Sequence, residues 1–154
     1  MKRKSIIILI ALFVLCYFNK ASGASGFKAV LIYQQKNLQK QVDSILEVTD
    51  NKEYDLAIEM ASSLINEAEK RNEPGFLFHG YNLLSITYDQ LQDSVPALDY
   101  AKKALHFAKI SKNDTLIAWG YNNLAASLSE YPETRNQALD FYKESLKIQR
   151  RLND

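Results

Sequence analysis

After residue 35, apolar side chains recur at intervals of three and four, with polar residues between them. No stretch sustains the period-two alternation of a half-buried strand, so the pattern predicts helix almost throughout. The breaks fall at recognisable punctuation. Pro74-Gly75 opens one predicted helix. Pro96 fits the first turn of the next, with Asp93 and Ser94 before it as caps. Asn113-Asp114 precedes a long apolar helix, with Asp114 as the expected N-cap, and Pro132 stops that helix near Glu130.

The helices come in copies. "GYNLLSIT" begins at Gly80 and "GYNNLAAS" at Gly120. In register, Tyr81, Leu84, Ser85 and Tyr88 match Tyr121, Leu124, Ala125 and Leu128. A second segment follows each phrase: "ALDYAKKAL" from Ala97 and "ALDFYKESL" from Ala138, with an earlier copy, "AIEMASSLI", from Ala57. Ala97, Ala101, Ala104 and Ala108 share one helix face, where small residues let an antiparallel neighbour come close. A period near 40 built from two helices is a repeat array. One hairpin cannot bury its apolar faces, whereas a stack of three can. The expected fold is therefore all-α, a solenoid of about three antiparallel hairpins over residues 37–73, 74–113 and 114–154.

These residues resemble the tetratricopeptide repeat family, in its longer-helix subgroup with repeats of about 40 residues. Tyr81, Leu84, Ser85, Tyr88, Ala97, Tyr100 and Ala104 fit that family's pattern. Tyr121, Leu124, Ala125, Leu128, Ala138, Tyr142 and Ser145 fit with one extra residue in the turn. In the first repeat only Tyr54, Ala57, Ala61 and Leu64 of the second helix fit; the first helix, near residues 37–48, departs from the pattern. The resemblance implies a superhelix whose first helices line a concave, partner-binding groove. It places His79, Asn82, Ile86 and Asp89 in that groove from one repeat, and Trp119, Asn122, Asn123, Ala126 and Ser129 from the next. Asn82 and Asn122 occupy equivalent positions. Their amides suit reading a peptide backbone, or bridging neighbouring helices. Trp119 suits either an aromatic anchor for a ligand or a filler of the seam between repeats. Some family members clamp a partner's C-terminal carboxylate with bases on their first helices. Residues 75–90 and 115–130 contain no Lys or Arg, so a groove read by amides, aromatics and apolar contacts is expected instead. Lys102, Lys103, Lys109, Lys143 and Lys147 fall on second helices, as a solvated outer face.

The N-terminus has a different character. Lys2, Arg3 and Lys4 precede an uncharged apolar run, Ile6 to Phe18, followed by "NKASGASG". The run is shorter than the roughly 20 residues of a membrane span. Small residues at 21–24 suit cleavage, so residues 1–24 read as a secretory signal peptide and residues 25–36 as a linker or the start of the first helix. An exported, periplasmic protein with no membrane span after cleavage is expected. The competing reading is an uncleaved anchor; lipidation at Cys16 is disfavoured by bulky Leu15. Cleavage removes Lys2, Arg3, Lys4 and Lys20, leaving 15 basic against 18 acidic residues, a net charge of −3. The mildly acidic remainder gives no electrostatic reason to bind nucleic acid. It also lacks cysteine, and so has neither disulfides nor thiol chemistry.

Catalysis finds little support. His79 and His106 are the two histidines, and neither has a second ligand at metal-binding spacing. There is no glycine-rich phosphate loop and no nucleophile elbow. The expectation is a non-catalytic scaffold, without cofactor or metal, whose partner is a protein or peptide.

The chain's last residues raise a further question. Asn153-Asp154 echoes Asn113-Asp114, which precedes a first helix. Repeat arrays normally finish in a polar cap. In the last helix, Ala138, Tyr142 and Leu146 are expected to pack inward, while Phe141, Ile148 and Leu152 form a second stripe facing water. Such a stripe suits a homodimer contact or another protein. Alternatively, the chain is the extracytoplasmic sensory segment of a bacterial sensor kinase or transcription regulator, split from its output domain.

Overall fold

A computed structural model of the chain describes residues 23–153, with side chains from residue 29 onward. Residues 1–24, read above as a signal peptide, lie outside the described residues apart from the last two. The chain divides into two compact units, residues 1–37 and 38–154. Of the first, the described part is helix, and residues 29–37 are exposed. The second is the repeat array.

Among the described residues the fold is all-α. Six helices follow one another: α1 (Gly23–Asp50), α2 (Tyr54–Arg71), α3 (Pro74–Gln90), α4 (Ser94–Ser111), α5 (Asp114–Ser129) and α6 (Arg135–Asn153). A 3-10 turn, Pro132–Thr134, joins the last two. Residues 25–36 are thus helix rather than linker. From α2 onward, consecutive helices pack on each other, and α3 also touches α5. This is a helical repeat arrangement of three hairpins, α1–α2, α3–α4 and α5–α6.

The turns explain the regular spacing. Lys52, Asn72, Gln92 and Lys112 all take positive φ, between 54° and 63°, and they are evenly spaced along the chain. A left-handed residue ends a helix abruptly and lets the chain bond back onto the last carbonyls. The amides of Glu53, Glu73 and Asp93 reach the carbonyls of Val48, Ala68 and Tyr88, at 2.9, 3.0 and 2.9 Å. The next place in the series is Pro132, whose ring fixes φ at about −65°. The left-handed turn is impossible there. The chain uses the 3-10 turn instead, and α6 starts later than the series would place it.

The caps differ in part from expectation. Asn113, not Asp114, caps α5: its Oδ1 accepts from the amides of Thr115 and Leu116 at 3.0 and 3.3 Å. Asp114 is already helical. Asp93 holds the cap position of α4 without a side-chain bond, and Pro74 is the first helical residue of α3.

The core runs along the stack. Leu38, Val42 and Ile45 of α1 cluster with Ala57, Ala61, Leu64 and Ala68 of α2 and with Leu77, Leu83 and Leu84 of α3. Ala101 and Leu105 cluster with Leu124, Ala125 and Leu128 of α5 and with Ala138 of α6. Gly80 and Gly120, which open the repeated phrases, sit at the junctions between hairpins. A Cβ on Gly80 would lie 2.5 Å from Ile65 Cγ1 of α2, and one on Gly120 would lie 3.1 Å from Leu105 Cα of α4. The glycines let each first helix seat directly on the second helix before it.

In α6 the sequence expectation holds for Ala138 and Leu152 and is reversed for the residues between them. Ala138 is buried, and Phe141 packs against that same core, stacking on Tyr121 at 5.7 Å. Ser145 is buried and donates its hydroxyl to the Ala118 carbonyl at 2.7 Å. Ile148, on the same side, is half-buried. Tyr142 and Leu146, expected inside, are 38% and 47% exposed. Of the residues assigned to the outer stripe, only Leu152 is exposed. Ser145 stands where Ala104 stands in α4; it is small enough to face the neighbouring helix, its hydroxyl is satisfied by a carbonyl on α5, and Phe141 and Ile148 lie on the same side.

Candidate functional site

The first helices α3 and α5 lie side by side, and the repeat register sets His79 opposite Trp119. The two rings meet edge to face at 6.5 Å. His79 also touches Phe78 at 5.2 Å and Phe76 at 6.1 Å. Burial holds its pKa below the ordinary value, while the Asp43 carboxylate of α1 pulls the other way. The folded molecule therefore favours a neutral imidazole beside the indole. Trp119 itself is 49% exposed, so it leans on His79 and presents its remaining surface to solvent rather than filling the seam.

One turn further along, Asn123 Nδ2 donates to Asn82 Oδ1. This bond joins residues far apart in the chain and ties the two first helices together. Asn82 thus bridges repeats, one of its two expected roles, while Asn122 projects into solvent. Ile86 is half-buried; Asp89 and Ala126 are exposed. Ser129 turns inward on its own helix, donating to the Ala126 carbonyl at 2.7 Å. The structure therefore brings His79, Asn82, Trp119 and Asn123 into one cluster and leaves Asn122 and Asp89 as separate exposed groups. Asp43 is the member that the sequence reading missed, because the first helix of the first repeat departs from the repeat pattern.

The second helices carry the bases, and most of these are engaged. Lys103 lies 5.0 Å from the Tyr100 ring centre and 2.7 Å from an Asp99 carboxylate oxygen. Lys109 lies 4.9 Å from the Tyr121 ring centre. Beneath them Tyr81 stacks between Tyr100 and Phe107, at 6.2 and 5.4 Å. The first-helix surface, by contrast, has no Lys or Arg on α3 or α5. It is an aromatic and amide surface edged by Asp43 and Asp89, suited to donor, acceptor and stacking contacts rather than to holding an anion.

Among the described residues no group of three His, Cys, Asp or Glu could hold a metal ion, and no helix is long and apolar enough to cross a membrane. No family model, curated protein or solved structure matches the chain.

Proposed function

We propose that the chain is an exported, non-catalytic scaffold of the tetratricopeptide type, which receives a protein or peptide segment across the first-helix face of α3 and α5. The observation that carries this reading is Trp119. An indole 49% exposed, backed by a half-buried histidine and set beside a pair of bonded asparagines, is a rigid aromatic platform with polar groups at its edge. Exposed aromatics of this kind supply much of the contact energy where proteins meet. The doubled helical pattern supports the family assignment, and the basic, apolar, small-residue N-terminus supports export to the periplasm.

Trp119 is the sole tryptophan, so its fluorescence reports this surface directly. A photo-crosslinking amino acid placed at position 119, in the chain as a bacterial host exports it, is expected to trap a protein partner. The same group at exposed position 106, on α4, is expected to trap none. Trp119→Ala with Asn122→Ala should weaken capture by about tenfold or more. Equal capture from both positions, or capture unaffected by the double substitution, would overturn the assignment of this face.

A further inference from the structure

The first helix is longer than the repeat requires. The first helices of the second and third hairpins begin at Pro74 and Asp114. The same register would start α1 near residue 34, yet α1 begins at Gly23. Residues 23–33 are therefore surplus to the repeat. The later copies hold no counterpart, because residues 63–73 and 103–113 finish second helices and make the turns after them. The surplus segment is apolar. Val30, Leu31, Ile32 and Tyr33 are consecutive, and they are 50%, 40%, 45% and 75% exposed. Neighbours on a helix stand about 100° apart, so four in a row go round the whole helix rather than form one stripe.

Charge sets the same segment apart. No Asp or Glu occurs before Asp43. Residues 25–42 carry Lys28, Lys36 and Lys40 and no acid, whereas residues 43–154 carry 12 basic and 18 acidic residues. Lys36 is exposed, just beyond Tyr33. A partner helix covers one stripe and would leave the other apolar side chains in water. A second copy of the chain would set lysines against lysines, which like-charge repulsion opposes. A bilayer interface meets both demands. Helices that lie there sink about 5–10 Å, so apolar side chains reach the acyl boundary while lysines stretch back to the headgroups. Ala29 to Tyr33 rise about 7.5 Å along the helix axis. That is far short of the roughly 30 Å hydrocarbon core, so the segment can be embedded in a bilayer but cannot cross it.

We propose that residues 28–36 are a membrane-contact segment, through which the exported chain rests on an anionic phospholipid bilayer. Val30, Leu31 and Ile32 enter the boundary between headgroups and acyl chains. Tyr33 stays at its polar edge, where tyrosine rings are favoured. Lys28 and Lys36 meet the lipid phosphates. Apolar burial holds the segment in the interface, and charge selects the anionic surface. The segment shares no residue with the surface of α3 and α5. It rests on the export reading only for where a bilayer is met, and not on what that surface binds.

The test uses the chain as a bacterial host exports it, its first residue read by mass spectrometry. Vesicles are made of phosphatidylcholine alone or of phosphatidylcholine mixed with phosphatidylglycerol. Flotation is expected to carry the chain with the mixed vesicles and not with phosphatidylcholine alone, and binding should weaken as salt rises. Tyr33→Trp in a Trp119→Phe chain puts the sole indole in the segment, and its emission should move to shorter wavelength on the mixed vesicles. Val30→Asp with Leu31→Asp should abolish flotation. Lys28→Gln with Lys36→Gln should weaken it by about thirtyfold. Trp119→Ala should leave it unchanged, which separates this segment from the first-helix surface. Val30, Leu31 and Lys36 are exposed, and unaltered circular dichroism will show that the variants fold. The proposal is overturned if the mixed vesicles do not bind, or if phosphatidylcholine alone binds equally well. It is also overturned if the aspartate variant still floats, as it would were a retained Ile6–Phe18 run holding the bilayer instead. A dimer that the aspartate variant dissociates, in a chain that ignores both kinds of vesicle, would overturn it too.

Discussion

His79 is the residue whose chemistry the fold changes most visibly. Burial lowers its pKa from the ordinary 6.5, and the Asp43 carboxylate offsets part of that effect. The linkage follows directly. Between 6.5 and the lower folded value the unfolded chain binds the proton and the folded chain does not. Stability from this group is therefore fully present above 6.5, falls as the pH drops through that window, and levels off below the folded pKa. Trp119 makes the titration observable, because a protonated imidazole at its edge quenches indole emission. Quenching on acidification is expected with a midpoint below 6.5, lower still in Asp43→Asn, and absent in His79→Gln. A midpoint at or above 6.5 would mean that the ring is solvated, and the cluster with Trp119 would then be open. Asn82 makes a related point at the same scale. The repeat register matched it to Asn122, yet its partner is Asn123, one position on, because the pair forms between helices rather than along one.

At the level of single elements, the helix ends follow from individual side chains. Non-glycine residues hold the left-handed conformation at four successive turns, and for an L-residue that conformation costs about 1–2 kcal/mol. Asparagine tolerates it best; Lys52, Gln92 and Lys112 are held there by the helices on either side. Gln92→Gly is expected to stabilise the protein by about 0.5 kcal/mol, since the relief of strain exceeds the added freedom of the unfolded chain. Urea unfolding should show a higher midpoint with an unchanged slope. Gln92→Ala should show no gain, since alanine also has a Cβ. Pro132 is the counter-example that fixes the rule: where φ cannot turn positive, the turn changes type and the following helix shifts. α6 shows what periodicity leaves open. Two apolar stripes run along it, and helical spacing alone does not say which one turns inward. The register of "ALDYAKKAL" on "ALDFYKESL" carries the better signal, because it aligns Phe141 with Tyr100 and Leu146 with Leu105.

For the whole molecule, cohesion is passed from hairpin to hairpin through narrow junctions. In such an array each unit is stabilised by its neighbours, so damage at one junction uncouples what lies on either side of it. Gly120→Ala gains about 1 kcal/mol of helix propensity but sets a methyl 3.1 Å from the Leu105 backbone. Overpacking of that kind costs about 1–3 kcal/mol, so net destabilisation of about 1 kcal/mol is expected. Hydrogen exchange should then quicken in α5 and α6 before α3, whereas Gly80→Ala should release α1 and α2 instead. Uniform loss of protection from either substitution would show a single cooperative core in place of a stacked array.

The sequence by itself determined the helical class, the period of the repeat and the positions of the turns. Those features depend on residues near one another in the chain, on proline and asparagine chemistry, and on a repeat that compares the chain with itself. Only the tertiary structure decided which stripe of α6 turns inward, which asparagines bond, and that Asp43 faces His79. Each of these rests on what a neighbouring helix offers at contact distance: a carbonyl for Ser145, an amide for Asn82, an apolar wall that desolvates a ring. A helical period of 3.6 says which residues share a face. It does not say what that face will meet.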